Sequence, residues 1–138
     1  MLNRLTDSLD FQGQALQLRS ERQRLIASNI ANADTPGYQA RDMDFSTALK
    51  AATGQLPVAG QMATTRAGHM ALPGNASPTA TALRYATPSQ TNLDSNSVDM
   101  DRERAAFADN ALKYEATLRF INGSVRTMLD AMKHHNQG

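Results

Sequence analysis

The chain has 138 residues with 14 basic and 13 acidic groups and no cysteine. That near-balance argues against a nucleic-acid or anionic-membrane partner, and the missing thiols exclude disulfides and thiolate-held metals. Aromatic residues make up only 5% and Trp is absent, so a core must come from Leu, Ile, Met and Ala, which suits helices better than a sandwich of strands.

At the N-terminus, Arg4, Asp7 and Asp10 interrupt what would have to be the apolar stretch of a secretory signal. A cleavable signal is not expected, and no apolar run is long enough to span a bilayer. Any route out of the cytoplasm would be one that does not read such a signal.

Charge divides the chain into three. Residues 1–50 and 96–138 each carry six basic and six acidic groups, whereas residues 51–95 hold only Arg66, Arg84 and Asp94. Four prolines and four glycines in that middle third break any long helix. The expected division is an N-terminal helix over 1–35, a turn and irregular arm over 36–95, and a C-terminal helix over 96–138.

In the first segment Leu2, Leu9, Leu16 and Ile30 share one seven-residue row, interrupted by Gln23, and Phe11, Leu18 and Leu25 share a second. Two turns of α-helix take close to seven residues, so each row is a stripe. Asn32, Asp34 and Thr35-Pro36-Gly37 end the helix: proline biases Thr35 away from helical angles, and Gly37 can supply the positive φ of a turn. The middle segment predicts loops, with short extended pieces around Gln61–Thr65 and Ala82–Tyr85. In the last segment Phe107, Ala111, Tyr114, Leu118, Ile121, Val125, Met128 and Met132 make an a/d seam over nearly four heptads. Asp99, Asp101 and Glu103 stand at its start and Lys133, His134 and His135 at its end, as the helix dipole favours.

The expected fold is all-α. Long terminal helices form an antiparallel coiled-coil-like pair, and the central segment is irregular, loop-rich and at most shortly β. One pair cannot cover every stripe, so helices from other chains are required, with both termini mobile in the isolated monomer. The competing arrangement is a monomeric bundle whose middle supplies a third helix.

Chemistry is sparse. Asp99, Asp101 and Glu103 read as helix capping rather than a metal or acid–base cluster, His134 and His135 point about 100° apart, and His69 stands alone. No nucleophile triad, P-loop or dinucleotide fingerprint appears, so no catalytic, cofactor or metal residue is assigned and no enzyme or small-molecule substrate is expected. Asn29 and Asn32 either bridge the helix end to a neighbouring chain or simply follow the preference of Asn for helix ends. The residues expected to carry assembly are Leu9, Leu16, Leu18, Ile30, Tyr114, Leu118, Ile121 and Val125. Asn29, Asn32, Pro36, Gly37 and Tyr38 form the helix-end elbow.

The stretch Ser28-Asn-Ile-Ala-Asn-Ala-Asp-Thr-Pro-Gly-Tyr38 closely resembles the N-terminal signature of the flagellar rod and hook proteins. Helix end, two Asn, Thr-Pro-Gly turn and aromatic all fall in register. Gln39–Phe45, Val98–Arg104 and Phe107–Tyr114 are similar to the proximal-rod members of that family. The resemblance covers roughly residues 1–50 and 92–135. It implies an axial subunit of the flagellar basal body, exported through the type III apparatus and stacked helically with its terminal helices lining the tube. The partners it implies are further copies of the chain, FliE on the membrane side, the rod proteins FlgC and FlgF, and the export gate. Two other readings remain at this point: a soluble helical-hairpin adaptor or export chaperone, and a small hydrolase centred on the middle segment around His69.

Overall fold

The structure is a computed structural model, which describes residues 2–54, 83–85 and 93–135. In chain order these form α1 (Leu2–Ala31), β1 (Arg41–Met43), α2 (Phe45–Ala52), β2 (Leu83–Tyr85) and α3 (Met100–His135). The described part is mostly helical, as the lack of aromatics implies.

The two long helices end where local chemistry says they should. The last turn of α1 is closed by Asn32, whose backbone N and side-chain Nδ2 both donate to the Ser28 carbonyl, at 3.1 and 2.8 Å. Gly37 then takes φ +72°, a left-handed conformation that glycine adopts without the Cβ penalty. Helix α3 opens on Asp99, whose Oδ1 accepts from the backbone N of Asp101 and Arg102 at 3.1 and 3.2 Å. Its last turn carries Lys133, His134 and His135, so both ends complement the dipole.

Between them the chain is less irregular than its composition suggests. Residues 45–52, expected to be part of a loop-rich arm, form α2. Asp44 caps it, accepting from Thr47 N at 3.2 Å and from Thr47 Oγ1 at 2.9 Å, and Gly54 at φ +72° follows its end. A good cap, three alanines and one buried face suffice for a helix this short because α1 covers that face. Strand β2 falls within the extended piece expected at 82–85. It pairs antiparallel with β1, Asp42 opposite Arg84. The piece at 61–65 lies outside the described residues, as does His69.

The core is small. Leu18 of α1, Met43 of β1 and Ala48 of α2 are buried together, with Leu25, Phe45, Leu49 and Ala52 packed around them. The Arg19 guanidinium lies 4.2 Å from the centre of the Phe45 ring, and Arg22 Nε is 3.5 Å from Asp42 Oδ1. Thus β1 and α2 occupy one side of α1.

Helix α3 occupies another side, through contacts that run in opposite order along the two helices. Glu103 meets Asn29, Asn110 meets Arg19 and Gln23, and Leu5 shares a groove with residues between Ala116 and Thr127.

Candidate assembly interface and helix-end elbow

The elbow is a hydrogen-bonded knot joining three stretches of chain. Asn29, only 1% exposed, donates from Nδ2 to the Arg41 carbonyl at 2.7 Å and accepts at Oδ1 from Arg41 N at 3.1 Å. Its amide therefore pairs with residue 41 as a neighbouring strand would. Tyr38 Oη donates to the same Oδ1 at 3.2 Å and lies 3.3 Å from Ser28 Oγ, which fixes the ring against the end of α1. Asn32 bonds within its own turn and accepts from Thr35 Oγ1 at 3.2 Å. In this chain, then, both asparagines are satisfied internally. Pro36 and Gly37 are exposed and make the bend.

The residue that completes the knot was missed from sequence. Asn96, 1% exposed, directs Nδ2 at the carbonyls of Asn32, Ala33 and Thr35, at 2.9, 2.8 and 2.8 Å. These carbonyls line the turn that follows α1, where those of Asn32 and Thr35 also accept from the backbone N of Thr35 and Tyr38 at 3.1 and 3.2 Å. Asn96 Oδ1 accepts from Val98 N at 2.8 Å. Backbone pairing continues alongside: Gly37 N donates to Asp94 O at 2.7 Å and Ser97 N to Tyr38 O at 3.0 Å, while Ser97 Oγ accepts from Ala40 N at 2.7 Å. Ser95 takes φ +60°, a turn ahead of these contacts. The one sequence signal was a run of Asp-Ser-Asn-Ser just before a helix, which reads equally as an ordinary cap.

The eight candidate interface residues do not share one environment. Leu18 is packed in its own chain with Met43 and Ala48. Leu9, Leu16, Ile30, Tyr114 and Ile121 are half-buried. Leu118 and Val125 remain 37% and 40% exposed.

The reason lies in the rotation of α3. The residues buried along it are Glu103, Asn110 and Thr117, a polar row, whereas the apolar seam stands to one side with Phe107, Leu118, Val125 and Met132 exposed. Open grooves follow that flank. One is lined by Ala27, Ile30, Ala31, Arg104 and Phe107, and the next by Ser20, Gln23, Arg24, Ala27, Ala111 and Tyr114.

Electrostatics follow burial. Loss of solvent pushes the Glu103 carboxyl up from its ordinary range, Asp42 and Asp99 add to this, and the hydrogen bond with Asn29 and the charge of Arg102 work against it. Asp109 is held below the usual carboxylate range mainly by its hydrogen bond with Lys113, at 2.8 Å. Among the described residues no three His, Cys, Asp or Glu side chains gather as a metal site, and no helix is long and apolar enough to cross a membrane.

A long helix ended by two asparagines and a Thr-Pro-Gly bend, with a second long helix beside it and apolar flanks left open, is the architecture of an assembly subunit rather than a pocket protein. The profile of a family described as "Flagella basal body rod protein" matches residues 9–39, the segment from mid-α1 through the elbow. Over 138 residues the chain is 44% identical to the flagellar basal body rod protein FlgB of Escherichia coli (strain K12), covering 99% of this chain and 100% of that protein. It is 45% identical to the FlgB of Salmonella typhimurium (strain LT2) over the same shares. To the FlgB of Aeromonas hydrophila it is 43% identical over 120 residues, 86% of this chain and 87% of that one. The chain belongs to the FlgB family of flagellar basal body rod proteins and is a structural subunit of that rod.

Proposed function

We propose that the chain polymerises through its terminal helices, as an antiparallel coiled-coil-like pair, to build the wall of the proximal rod, a drive shaft that transmits torque and surrounds the export channel. The observation that carries this is the exposed flank of α3: Phe107, Leu118, Val125 and Met132 are each more than a third exposed although their spacing is that of a packed seam. In water such a row is a cost; in a tube of helices it is the contact surface. Half-buried Leu9, Leu16, Ile30, Tyr114 and Ile121 extend the contact to both helices, with residues 1–35 and 96–138 forming the rod core and 36–95 the arm. The elbow of Asn29, Asn32, Pro36, Gly37 and Tyr38 turns the chain out of the tube.

Neighbouring copies are the first partners, with FlgC, FlgF and FliE at the ends of the segment and the type III export gate delivering the subunits, without a cleavable signal, to the periplasmic space. The test is Leu118→Arg combined with Val125→Arg. The variant keeps the monomer's helicity by circular dichroism, and cells carrying it build no rod and do not swim. Wild-type motility would sink the reading.

A further inference from the structure

Helix α3 turns its polar side, not its apolar side, toward its own partner. Glu103, Asn110 and Thr117 lie seven residues apart and are all buried, and half-buried Ser124 continues the row. Burial of apolar area alone would set the helix differently. Phe107 and Asn110 are three residues apart, so at 3.6 residues per turn their directions differ by about 60°. A rotation of that size would draw Phe107, Leu118 and Val125 into the seam and release the polar row to solvent.

What opposes the rotation is the chemistry of the facing helix. Asn110, with 0% exposure, donates from Nδ2 to the Arg19 carbonyl at 2.8 Å and to Gln23 Oε1 at 2.7 Å. Glu103 is tied to Asn29, and Thr117 Oγ1 returns to the Lys113 carbonyl of its own helix at 2.8 Å. Of the three, Asn110 alone bonds to both the backbone and a side chain of α1. Placing a Phe or Leu there would remove both bonds to α1. Few buried polar contacts are needed to choose one setting of a helix pair over another, as a single buried Asn fixes register in coiled coils.

We propose that Asn110 determines the rotational setting of α3 on α1, and that this setting holds the Phe107–Leu118–Val125 flank outward for neighbouring subunits. The second half rests on the assembly reading of that flank; the first does not.

The natural absence of cysteine makes the test direct. Thr117→Cys and Leu118→Cys, introduced singly, report the two settings by their rates of thiol labelling in dilute full-length protein. In the parent chain position 118 labels faster than 117. Asn110→Ala removes the bonds without adding a large apolar side chain that burial would hold in the present setting. Since one net hydrogen bond corresponds to about tenfold in the ratio of two states, the 118-to-117 rate ratio falls by roughly that factor. Asn110→Ser, too short to reach both the Arg19 carbonyl and Gln23 Oε1, also lowers the ratio, and serves if the Ala variant does not fold by circular dichroism. A ratio unchanged in the folded variants, or equal labelling in the parent, overturns the assignment. Motility separates the two halves: if Leu118→Arg swims normally while the labelling ratios still respond to Asn110, the flank reading fails and the role of Asn110 stands.

Discussion

Replacing Asn96 with Ala should loosen the elbow more than any other single polar change. The two Nδ2 hydrogens serve three carbonyls within 2.9 Å, and Oδ1 holds Val98 N at 2.8 Å. With roughly 1 kcal/mol net for each of three hydrogen-bonding valences, and some of the exposed carbonyls recovered by water, the loss is about 2 to 3 kcal/mol. Amide exchange followed residue by residue is the suitable assay, because it reads local opening separately from global unfolding. At 1.4 kcal/mol per factor of ten, amides between Ala31 and Arg41 should exchange about thirty- to a hundredfold faster, with those of mid-α3 much less affected. Asn96→Asp makes a sharper test: a carboxylate would present oxygen lone pairs to three carbonyl oxygens, so it should be worse than Ala despite its closer shape. Unchanged exchange in the Ala variant, or an Asp variant as stable as the parent, would refute the capping role.

Other outcomes follow from the same geometry. At Gly37 an added Cβ meets nothing within 4 Å, so only the backbone strain at φ +72° opposes substitution. Gly37→Asn should be nearly neutral, Gly37→Ala cost about 1 kcal/mol and Gly37→Val more, read by thermal unfolding. Leu18→Ala should destabilise the isolated chain by roughly 2 to 5 kcal/mol because its side chain is enclosed, while Leu118→Ala should leave the isolated chain nearly unchanged and weaken only assembly, as measured by denaturation and rod recovery. Burial first, then Asp42 and Asp99, raise Glu103 above its ordinary value of 4.5. Because the folded chain holds this proton more tightly than the unfolded one, the contribution of Glu103 to stability is greatest below that value and is lost as pH rises through the raised one. Glu103→Gln should remove that slope from stability measured across the acid range; a slope identical to the parent's would place its origin elsewhere.

Several elements were legible because their causes are local. The Thr-Pro-Gly bend, the Asp99 cap and the basic last turn of α3 each depend on residues within one turn of each other, so sequence places them correctly. Helix α2 could have been read from Asp44, the alanines and Gly54, but a helix so short gains its stability from the α1 face it covers, and that face is not visible in its own eight residues. The same holds for Leu18, which packs with Met43 and Ala48: a seven-residue row says that a side chain is covered, not by which elements.

By itself the sequence determined that this protein has two long helices, one toward each end of the chain, and that a sharp elbow follows the first. Periodicity and end chemistry are properties of contiguous residues. Only the tertiary structure decided that Asn96, more than sixty residues along the chain, finishes the end of α1. It also decided that α3 turns Glu103, Asn110 and Thr117 inward and leaves Phe107, Leu118 and Val125 out. An amphipathic pattern fixes the width of a stripe, but the angle at which two helices settle depends on hydrogen bonds between residues far apart in the chain.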